Sequence, residues 1–441
     1  MASLPQSLAD NLVLRSATPA DADALAAFNI RIHAEDDPEP LRARLDAWTR
    51  DLVARPHPTA APADTLIVED TTTGQIVSTT CLIPQTWTYA GVPFEVGRPE
   101  LVGTLPEYRN RGLVRRQFEV VHQWCVERGQ LVQAITGIPW YYRQFGYEMT
   151  VNLSGTRIGF GMHVPGLKDG ETEPYPIRLA TPDDLSFIAE VDATGHRRDT
   201  LHCLRDAAAW RYEFDGRLET SMWHRILAVI ENTAGERVGY IAYPPYTMHN
   251  GQGLTSFELK PGVSWVAVTP SVIRYIWAIG QARAALEGGS CDAWALNLGE
   301  SHPSYRVAQG KLPVNWPPYA WYLRVPDLVA FLRVITPALE KRLADSIACG
   351  HTGEFRVSLY RSGVLFKFEK GALSVEPWQP TPKAGGDAAF PDQTFLHLLF
   401  GHRTIDEIRQ LRVDCWVNDD TVRIILEALF PKQMSDVWPL G

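Results

Sequence analysis

The chain has 441 residues, of which 45% are hydrophobic and 21% charged, a composition typical of a globular protein that excludes a disordered or fibrous one. The net charge is -9, which disfavours a nucleic-acid or anionic-membrane partner and favours a cationic small molecule. About two to four domains are expected at this length.

The six cysteines stand singly, without a Cys-x-x-Cys pair and without metal-ligand spacing to a histidine. We therefore expect buried thiols, no metal ion and a reducing compartment, by default the cytoplasm. The first residues, MASLPQSLADNLVL, lack the basic start and apolar run of a secretion signal, and no later stretch stays apolar long enough to span a bilayer. Neither secretion nor membrane insertion is predicted.

Two segments of the chain begin with the same pattern. LRSATPADADALAAF begins at Leu14 and IRLATPDDLSFIAEV at Ile177, and each predicts a short strand, a turn at Ala-Thr-Pro and an amphipathic helix. About fifty residues later come LIVEDTTTGQIVSTT, from Leu66, and LAVIENTAGERVGYIAY, from Leu227, each a strand, a turn and a second strand. This self-similarity indicates two copies of one α/β unit in tandem, although such common patterns also match by chance.

The first copy continues with further strands and one helix. A third strand is predicted near residues 87–94 and a fourth over residues 101–104. The following helix ends at Gly129 and places four apolar residues on one face, namely Val114, Phe118, Val121 and Cys125. LVQAITGI, from Leu131, is a fifth strand, and together these elements predict a mixed sheet.

The second copy keeps the outline of the first but lacks its loop residues. VSWVAVTPSVIRYIWAIGQARA, from Val263, predicts a strand, a proline turn and a helix, with neither a glycine nor an arginine cluster at the turn. We therefore expect a degenerate unit that binds no cofactor. From Val325 a helix is followed by short strands with turns at Gly363 and Gly371 and then by two capped helices, which predicts a third, α+β domain.

The stretch LVGTLPEYRNRGLVRRQFEVV, from Leu101, places arginines around Gly112 at the start of a helix. Positive charge opposes the helix dipole there unless an anion is bound. Backbone N–H groups at such a helix start point outward, and Gly112 allows a close approach to the backbone, so the stretch predicts a pyrophosphate-binding loop. The alternative is a helix with a solvated basic face.

Two motifs carry a resemblance to a known family. In spacing, Arg109, Gly112 and Val114 resemble the Arg/Gln-x-x-Gly-x-Gly/Ala signature of the GNAT N-acetyltransferases, although Val114 is larger than the usual third residue. GIPWYYRQFGYEM, from Gly137, is similar to the family's aromatic-Tyr-x-x-Phe-Gly-Phe/Tyr segment. The order of an active unit, a degenerate unit and an α+β domain resembles the Eis family of N-acetyltransferases.

The Eis resemblance implies a fold class and a domain layout. The class is α/β and α+β, with two tandem GNAT acyltransferase folds, each a mixed sheet flanked by helices, followed by an α+β domain like a sterol carrier protein. GVLFKFEKGALSV, FLHLLFGHRTIDEI and ALFP match segments of that last domain. The implied domains are residues 1–170, 171–324 and 325–441.

The same resemblance implies a reaction: direct transfer of acetyl from acetyl-CoA, without a metal, to a primary amine of a cationic small molecule such as an aminoglycoside or a polyamine. Tyr142 is the implied proton donor to the CoA thiolate, a role that a neutral phenol can fill; the alternative is a core aromatic residue. The carboxylate of Gly441 is the implied proton acceptor. Three consecutive acids, Glu35, Asp36 and Asp37, either attract the amine or form a solvated loop.

The resemblance also assigns residues to acetyl-CoA. The pantetheine and thioester are expected at the strand end formed by Val102, Gly103 and Thr104. The pyrophosphate is expected at the helix start, at Arg109, Asn110, Arg111, Gly112, Leu113, Val114 and Arg115. The opposite wall of the site is expected at Gly137 and Ile138, on the next strand. A homo-oligomer, a hexamer rather than a dimer, is expected. Two rival functions stay open: a lipid or sterol carrier, and a protein that binds acetyl-CoA without turnover.

Overall fold

A computed structural model describes residues 4–248, 250–381 and 385–441. Its α-helices are α1 Ala22–His33, α2 Glu39–Val53, α3 Leu113–Glu127, α4 Leu185–Gly195, α5 Ala207–Arg211, α6 Trp265–Glu287, α7 Pro303–Val307, α8 Leu328–Ala344, α9 Phe395–Leu399, α10 Ile405–Leu411 and α11 Asp420–Leu429. Its strands are β1 Gln6–Ser7, β2 Leu12–Ser16, β3 Thr65–Asp70, β4 Gln75–Tyr89, β5 Val92–Thr104, β6 Val132–Ile135, β7 Glu148–Leu153, β8 Thr156–Phe160, β9 Ile177–Leu179, β10 Leu201–Cys203, β11 Ile226–Glu231, β12 Arg237–Tyr243, β13 Thr247–Met248, β14 Gly251–Leu254, β15 Ser256–Leu259, β16 Ala293–Asn297, β17 Val314–Trp316, β18 Tyr319–Arg324, β19 Gly353–Ser358, β20 Gly363–Glu369, β21 Ala372–Trp378, β22 Ala388–Ala389 and β23 Trp416–Val417. No helix of the described residues is long and apolar enough to cross a membrane.

The two predicted repeats adopt the same local structure down to their ion pairs. Arg15 reaches Asp21 at 2.7 Å and Glu69 at 2.8 Å, and Arg178 contacts Asp184 and Glu231 at the same two distances, 2.7 and 2.8 Å. Each aspartate also accepts a hydrogen bond of 2.8 Å from the backbone N–H three residues earlier, in the Ala-Thr-Pro turn. The predicted strand, turn and helix are therefore confirmed in both copies, as are the two-strand segments that follow them.

The first two sheets exchange strands. The first sheet has the order β1-β2-β3-β4-β5-β6-β18-β7, so β18 from the second copy lies between β6 and β7 of the first. In return, β8 from the first copy pairs with β16 and β17 of the second. Each of these two sheets thus contains a strand from the other copy, and sheet pairing crosses the expected boundary near residue 170. The division into three domains stays a prediction.

Strand β5 diverges from its parallel neighbour part-way along its length. Parallel pairing of β5 with β6 covers Val96 and Gly97, opposite Val132 and Gln133, whereas β5 stays paired with β4 as far as Thr104. A β-bulge interrupts this second pairing, and Leu101 inside it has a φ of 51°. Bulges of this kind bend a strand, and the bend opens a wedge between β5 and β6.

Three sequence-based expectations were wrong. The third strand predicted near residues 87–94 is a tight hairpin between β4 and β5, because Ala90 and Gly91 both have positive φ, as a two-residue turn requires. The strand predicted from Val263 is the start of α6, which Ser264 caps by accepting a hydrogen bond from the Ala267 amide, while the real strand, β15, comes earlier. Among the thiols, Cys349 is exposed and the other five are buried.

The last part of the chain forms its own sheet and returns to the first unit. The order β21-β20-β19-β22-β23 is covered by α8, with α9, α10 and α11 alongside, so the predicted helix from Val325 and the strands after it are confirmed. The final segment then runs back, and Leu440 is buried in a core that it shares with Trp87 and Val96 of the first sheet. The chain end is therefore packed inside the protein.

Candidate active site

The wedge between β5 and β6 opens into a cavity of about 280 Å³. Helices α1 and α2 form one wall, the bulged part of β5 the second and the end of β6 with its following loop the third. The residues that line it are His33, Ala34, Asp37, Leu41, Leu45, Trp48, Glu100, Leu101, Val102, Ile135, Thr136, Gly137, Ile138, Tyr142 and Met222. The cavity thus brings together an aromatic hydroxyl, two carboxylates and predominantly apolar walls.

Tyr142 lies in this cavity with its hydroxyl free. Its ring is buried and packs against Phe118, Tyr322 and Tyr147 at centroid distances of 5.9, 5.9 and 6.3 Å. Among the described residues, none forms a hydrogen bond with its hydroxyl. Burial first, and then the charge of Glu100, raise the pKa of Tyr142 well above its ordinary value, so the phenol stays protonated at neutral pH.

The position of Tyr142 depends on Gly137 and on the exchanged strand. Gly137 has a φ of 128°, and a Cβ there would lie 3.4 Å from the Tyr142 ring. The Gly137 carbonyl accepts a hydrogen bond from Tyr319 of β18, while the hydroxyl of Tyr322, three residues further along β18, accepts one of 2.8 Å from the Trp140 amide. Sequence reasoning did not include β18 in this site, because strand exchange between repeats is not visible in the order of the elements.

Glu100 is the functional candidate that the sequence analysis missed. It lies on β5 beside the bulge, lines the cavity and accepts a hydrogen bond of 3.1 Å from Thr136 Oγ1 across the wedge. Buried Arg98 donates to it at 2.8 Å and, through another nitrogen, to the Leu440 carbonyl at 3.3 Å. The available signal was a pair of opposite charges, Arg98 and Glu100, two residues apart in the strand just before the phosphate motif, because strands buried on both faces are normally apolar throughout.

The loop before α3 has the geometry of an anion site. Asn110 and Gly112 adopt left-handed conformations with φ of 64° and 75°, and a Cβ at Gly112 would meet nothing within 4 Å. The first helical bond of α3 runs from the Arg116 amide to the Gly112 carbonyl at 3.0 Å. The amides of Leu113, Val114 and Arg115 therefore have no acceptor within the helix and can bind an anion.

The arginines of this loop are exposed, and two of them are unpaired. Arg111 and Arg116 contact Asp10 at 3.4 Å and Glu119 at 2.6 Å. Arg109 donates to the Thr104 carbonyl at 3.3 Å and Arg115 to the Gln144 side chain at 3.2 Å, and neither has a carboxylate partner among the described residues. The predicted cluster therefore keeps net positive charge at the helix start.

The three predicted residues at the end of β5 differ in their surroundings. Val102 lines the cavity. Gly103 faces α1, where a Cβ would come within 2.9 Å of Ile32 Cγ2, and its carbonyl accepts a hydrogen bond of 2.8 Å from Ser78. Thr104 also contacts the Ser78 hydroxyl at 2.8 Å. The need for glycine at position 103 is therefore explained by helix packing.

The segment at residues 30–60 supplies a cavity wall. It forms the end of α1 and the whole of α2, and Leu41, Leu45 and Trp48 line the cavity. Of the three consecutive acids, Asp37 lines the cavity, while Glu35 and Asp36 are exposed. One acid of the predicted set thus contributes to the site directly.

Gly441 is held close behind the cavity wall. Its carbonyl accepts a hydrogen bond from Arg217, and a Cβ on Gly441 would lie 2.7 Å from the Trp223 ring, so a side chain there would collide with the indole. Gln85 and Arg98 donate to the Leu440 carbonyl, and Trp438 packs on Trp223 at 5.3 Å. Gly441 is not among the cavity-lining residues, and Arg98 links the terminal segment to Glu100.

Residues 14–150 match the sequence profile of the acetyltransferase (GNAT) domain. The chain carries a GNAT acetyltransferase domain. This domain classes the chain among acyltransferase enzymes, and it contains the wedge, the loop before α3 and Tyr142. A comparison with curated protein sequences finds no significant match.

Solved structures resemble the chain over nearly its full length. A GCN5-related N-acetyltransferase from Kribbella flavida has a TM-score of 0.66 and 16% sequence identity, covering 98% of each chain. Eis1 from Mycobacterium abscessus has a TM-score of 0.60 and 14% identity, covering 98% of this chain and 99% of its own. A Saccharomyces cerevisiae N-myristoyltransferase with bound myristoyl-CoA has a TM-score of 0.51 and 13% identity, covering 74% of this chain and 81% of its own. The whole chain thus has an Eis-like GNAT fold.

Proposed function

We propose that the GNAT domain transfers an acetyl group from acetyl-CoA to a primary amine of a cationic small molecule of the aminoglycoside or polyamine kind. The observation that carries this proposal is the unpartnered Tyr142 hydroxyl, which faces a cavity that also contains Glu100 and Asp37. An ammonium group is attracted to such carboxylates. The apolar walls of Leu41, Leu45 and Trp48 favour the carbon skeleton of an amine.

The wedge and the loop before α3 are a suitable site for acetyl-CoA. The free amides of Leu113, Val114 and Arg115, with unpaired Arg109, suit the pyrophosphate. The diverging edges of β5, at Val102, and of β6, at Gly137 and Ile138, leave room for a narrow pantetheine arm. Arg111, Asn110 and Gly112 complete the loop that would surround the phosphates, and Gly103 and Thr104 support it from the strand.

In the proposed reaction the amine nitrogen attacks the thioester carbon, so that an N–C bond forms and the C–S bond breaks. Tyr142 gives its phenolic proton to the departing sulfur and regains one from solvent. An alkylammonium begins with three protons on nitrogen: one stays in the amide and two leave the nitrogen. One of these two balances the solvent proton that restores Tyr142, so one proton is released in net. Holding both reactants in one cavity makes the attack effectively unimolecular.

Two carboxylates are candidates for taking the proton from the ammonium. The Gly441 carboxylate is the one that the Eis resemblance implies. Arg217 donates to Gly441, and Arg98 donates to the preceding Leu440 carbonyl, so both support a fixed position of the chain end. Glu100 lines the cavity directly with Tyr142. We propose Glu100 as the immediate acceptor and the chain end as the group that holds Arg98, and therefore Glu100, in place.

The experiment that tests the function is release of free CoA thiol from acetyl-CoA in the presence of an amine panel that includes an aminoglycoside, spermidine and a lysine peptide. Thiol release that depends on the amine supports the acetyltransferase. Acetyl-CoA binding without thiol release would support a protein that binds acetyl-CoA without turnover. If neither binding nor release is found, the lipid or sterol carrier is the remaining function. We also propose the three-domain division given above. We further propose a homo-oligomer, a hexamer rather than a dimer, and the mass from light scattering tests this oligomeric state.

A lipid or apolar-ligand carrier is the second candidate, favoured by one observation in the third domain. A groove of about 660 Å³ lies between the start of α8, β20 and α9. Leu328, Val364, Trp378, Phe395 and Leu396 contribute to its lining. Displacement of a fluorescent fatty acid or sterol by unlabelled ligand tests this function independently of CoA release.

A further inference from the structure

Leu101 stands between the active-site cavity and a second, smaller cavity deeper in the first unit. This inner cavity has a volume of about 10 Å³, and Leu52 and Thr79 are among the residues that line it. Of the described residues, Leu101 alone lines both cavities. Its side chain is buried and belongs to the core of the first unit. The Leu101 side chain therefore lies where the two cavities meet.

Helices α1 and α2 run past both cavities. On α1, Asn29 lines the inner cavity and His33 the active-site cavity. On α2, Leu52 lines the inner cavity and Leu45 the active-site cavity. The two cavities are thus consecutive parts of one space between this helix pair and the sheet, and Leu101 divides that space from the side of β5.

Leu101 holds this position with a strained backbone. Its φ of 51° lies in the left-handed region, which a residue with a large side chain rarely adopts. Strained residues persist where the surrounding structure fixes them, and they cluster at ligand-binding sites. Both neighbours of Leu101 on the bulged strand, Glu100 and Val102, line the active-site cavity. The strain is therefore located at the inner boundary of the site.

The acyl end of the cofactor points towards Leu101 in the proposed binding mode. The loop before α3 follows the end of β5, so a pantetheine arm that runs from this loop back along the strand passes Val102 before it reaches Leu101. Tyr142, the proposed proton donor to sulfur, lines the same cavity. The amine approaches from the side of Asp37, which follows two exposed acids. The inner end of the cavity is then left for the acyl group.

We propose that Leu101 closes the acyl pocket and restricts the donor to acetyl-CoA, an inference that rests on the acetyltransferase function proposed above. Propionyl and butyryl groups exceed acetyl by one and two carbons. Each added methylene in a closed apolar pocket changes kcat/KM by roughly 10–200-fold. The inner cavity gives them no room, because the Leu101 side chain blocks the way and the volume behind it, about 10 Å³, is hardly enough for one water.

The inner cavity also limits what a shorter side chain at position 101 would admit. Asn29 Oδ1 and Thr79 Oγ1 belong to residues that line it, and both atoms are buried without a hydrogen-bond partner among the described residues. A hydrocarbon chain placed against them would satisfy neither atom, and such atoms are costly to bury. Removal of the Leu101 side chain should therefore lengthen the acyl pocket by a few carbons only.

The test measures release of CoA thiol by the full-length protein from acetyl-, propionyl-, butyryl- and hexanoyl-CoA, with the most active amine of the panel above. Wild-type kcat/KM should be at least roughly tenfold lower for butyryl-CoA than for acetyl-CoA. Leu101→Ala removes three carbons, enough for the two that butyryl adds but too few for the four of hexanoyl. The ratio of kcat/KM for butyryl-CoA to that for acetyl-CoA should rise at least roughly tenfold, and hexanoyl-CoA should stay a poor donor.

Leu52→Ala is the matched control, because Leu52 lines the inner cavity but not the active-site cavity. It enlarges the inner cavity and leaves Leu101 in place, so the preference among acyl-CoA donors should be that of the wild type. If Leu101→Ala does not fold, Leu101→Gly replaces it, since glycine adopts a φ of 51° without strain.

Three results would overturn the proposal. Equal use of butyryl-CoA and acetyl-CoA by the wild type, or a wild-type donor preference in the Leu101 variant, would show that Leu101 does not bound the acyl pocket. A changed order of preferred amines with an unchanged donor preference would place Leu101 on the amine side. Absence of thiol release from every acyl-CoA would refute the acetyltransferase function itself, and this inference with it.

Discussion

Replacing Tyr142 by phenylalanine removes one hydroxyl from the cavity and leaves the ring contacts with Phe118, Tyr147 and Tyr322 in place. Because no described residue forms a hydrogen bond with that hydroxyl, no partner is left unsatisfied in the fold. The free energy of unfolding should therefore change by less than about 1 kcal/mol, the worth of one ordinary hydrogen bond. Acetyl-CoA affinity should also be unchanged, since the phosphate loop is untouched.

The loss of activity in Tyr142→Phe should appear in kcat. A positioned general acid contributes on the order of a hundredfold, or about 2.7 kcal/mol of transition-state stabilisation. Burial and Glu100 raise the pKa of Tyr142 above its ordinary value, so the acid form persists as pH rises, and the wild-type rate should show no alkaline decline from this group near pH 10, its usual range. The Tyr142→Phe variant should show a lower rate at every pH.

The assay is thiol release at saturating acetyl-CoA, with calorimetry for binding and thermal unfolding for stability. Tyr141→Phe is the matched control: Tyr141 neighbours Tyr142, with ring centroids 5.2 Å apart, but does not line the cavity. It should keep nearly full kcat. Full activity in Tyr142→Phe, or a larger loss in Tyr141→Phe, would refute Tyr142 as the proton donor.

Four further outcomes are expected. Gly112→Glu should abolish acetyl-CoA binding, measured by calorimetry, because a negative side chain would enter the anion site. Glu100→Gln should lower kcat on the order of a hundredfold without unfolding the protein, since the amide cannot take up a proton. Residues appended after Gly441 should lower kcat at least roughly tenfold while acetyl-CoA affinity is kept, because they would displace the buried chain end. Asp21→Asn should lower Tm at neutral pH, and the difference from wild type should shrink below pH 4, because hydrogen bonding to Arg15 lowers the pKa of Asp21 to about 2 and its contribution is lost as pH falls towards that value.

Three of these outcomes have a comparison variant in the same chain. Gly129→Glu places the same side chain at a glycine with φ of 67° at the other end of α3, so acetyl-CoA binding should survive there. Glu95→Gln alters an exposed acid on the same strand as Glu100, and kcat should be unaffected. Asp184→Asn, in the second copy, should reproduce the pH dependence of Asp21→Asn. Loss of acetyl-CoA binding in Gly129→Glu would contradict the anion site at Gly112. Full activity with a tagged C-terminus would contradict a role for the buried chain end.

Local sequence determined the elements and the motif-bearing loop. The Ala-Thr-Pro turns with their aspartates are specified within a few residues, so both repeats could be predicted, as could the helix that starts at Leu113 and the exposed arginines before it. The aromatic segment was likewise readable, and Tyr142 lies in the cavity as its order along the chain suggested. These features depend on hydrogen bonds and capping between near neighbours.

Only the tertiary structure decided what surrounds those elements. The exchange of β8 and β18 brings Tyr319 and Tyr322 beside Tyr142, and the bulge at Leu101 opens the wedge that exposes Glu100. The return of the chain end to Arg98 and the pairing of β10 with β4 join residues far apart in sequence. Such contacts are selected by the burial of whole sheets and helices against one another, and that free energy is a property of the assembled core, which no short stretch of sequence contains.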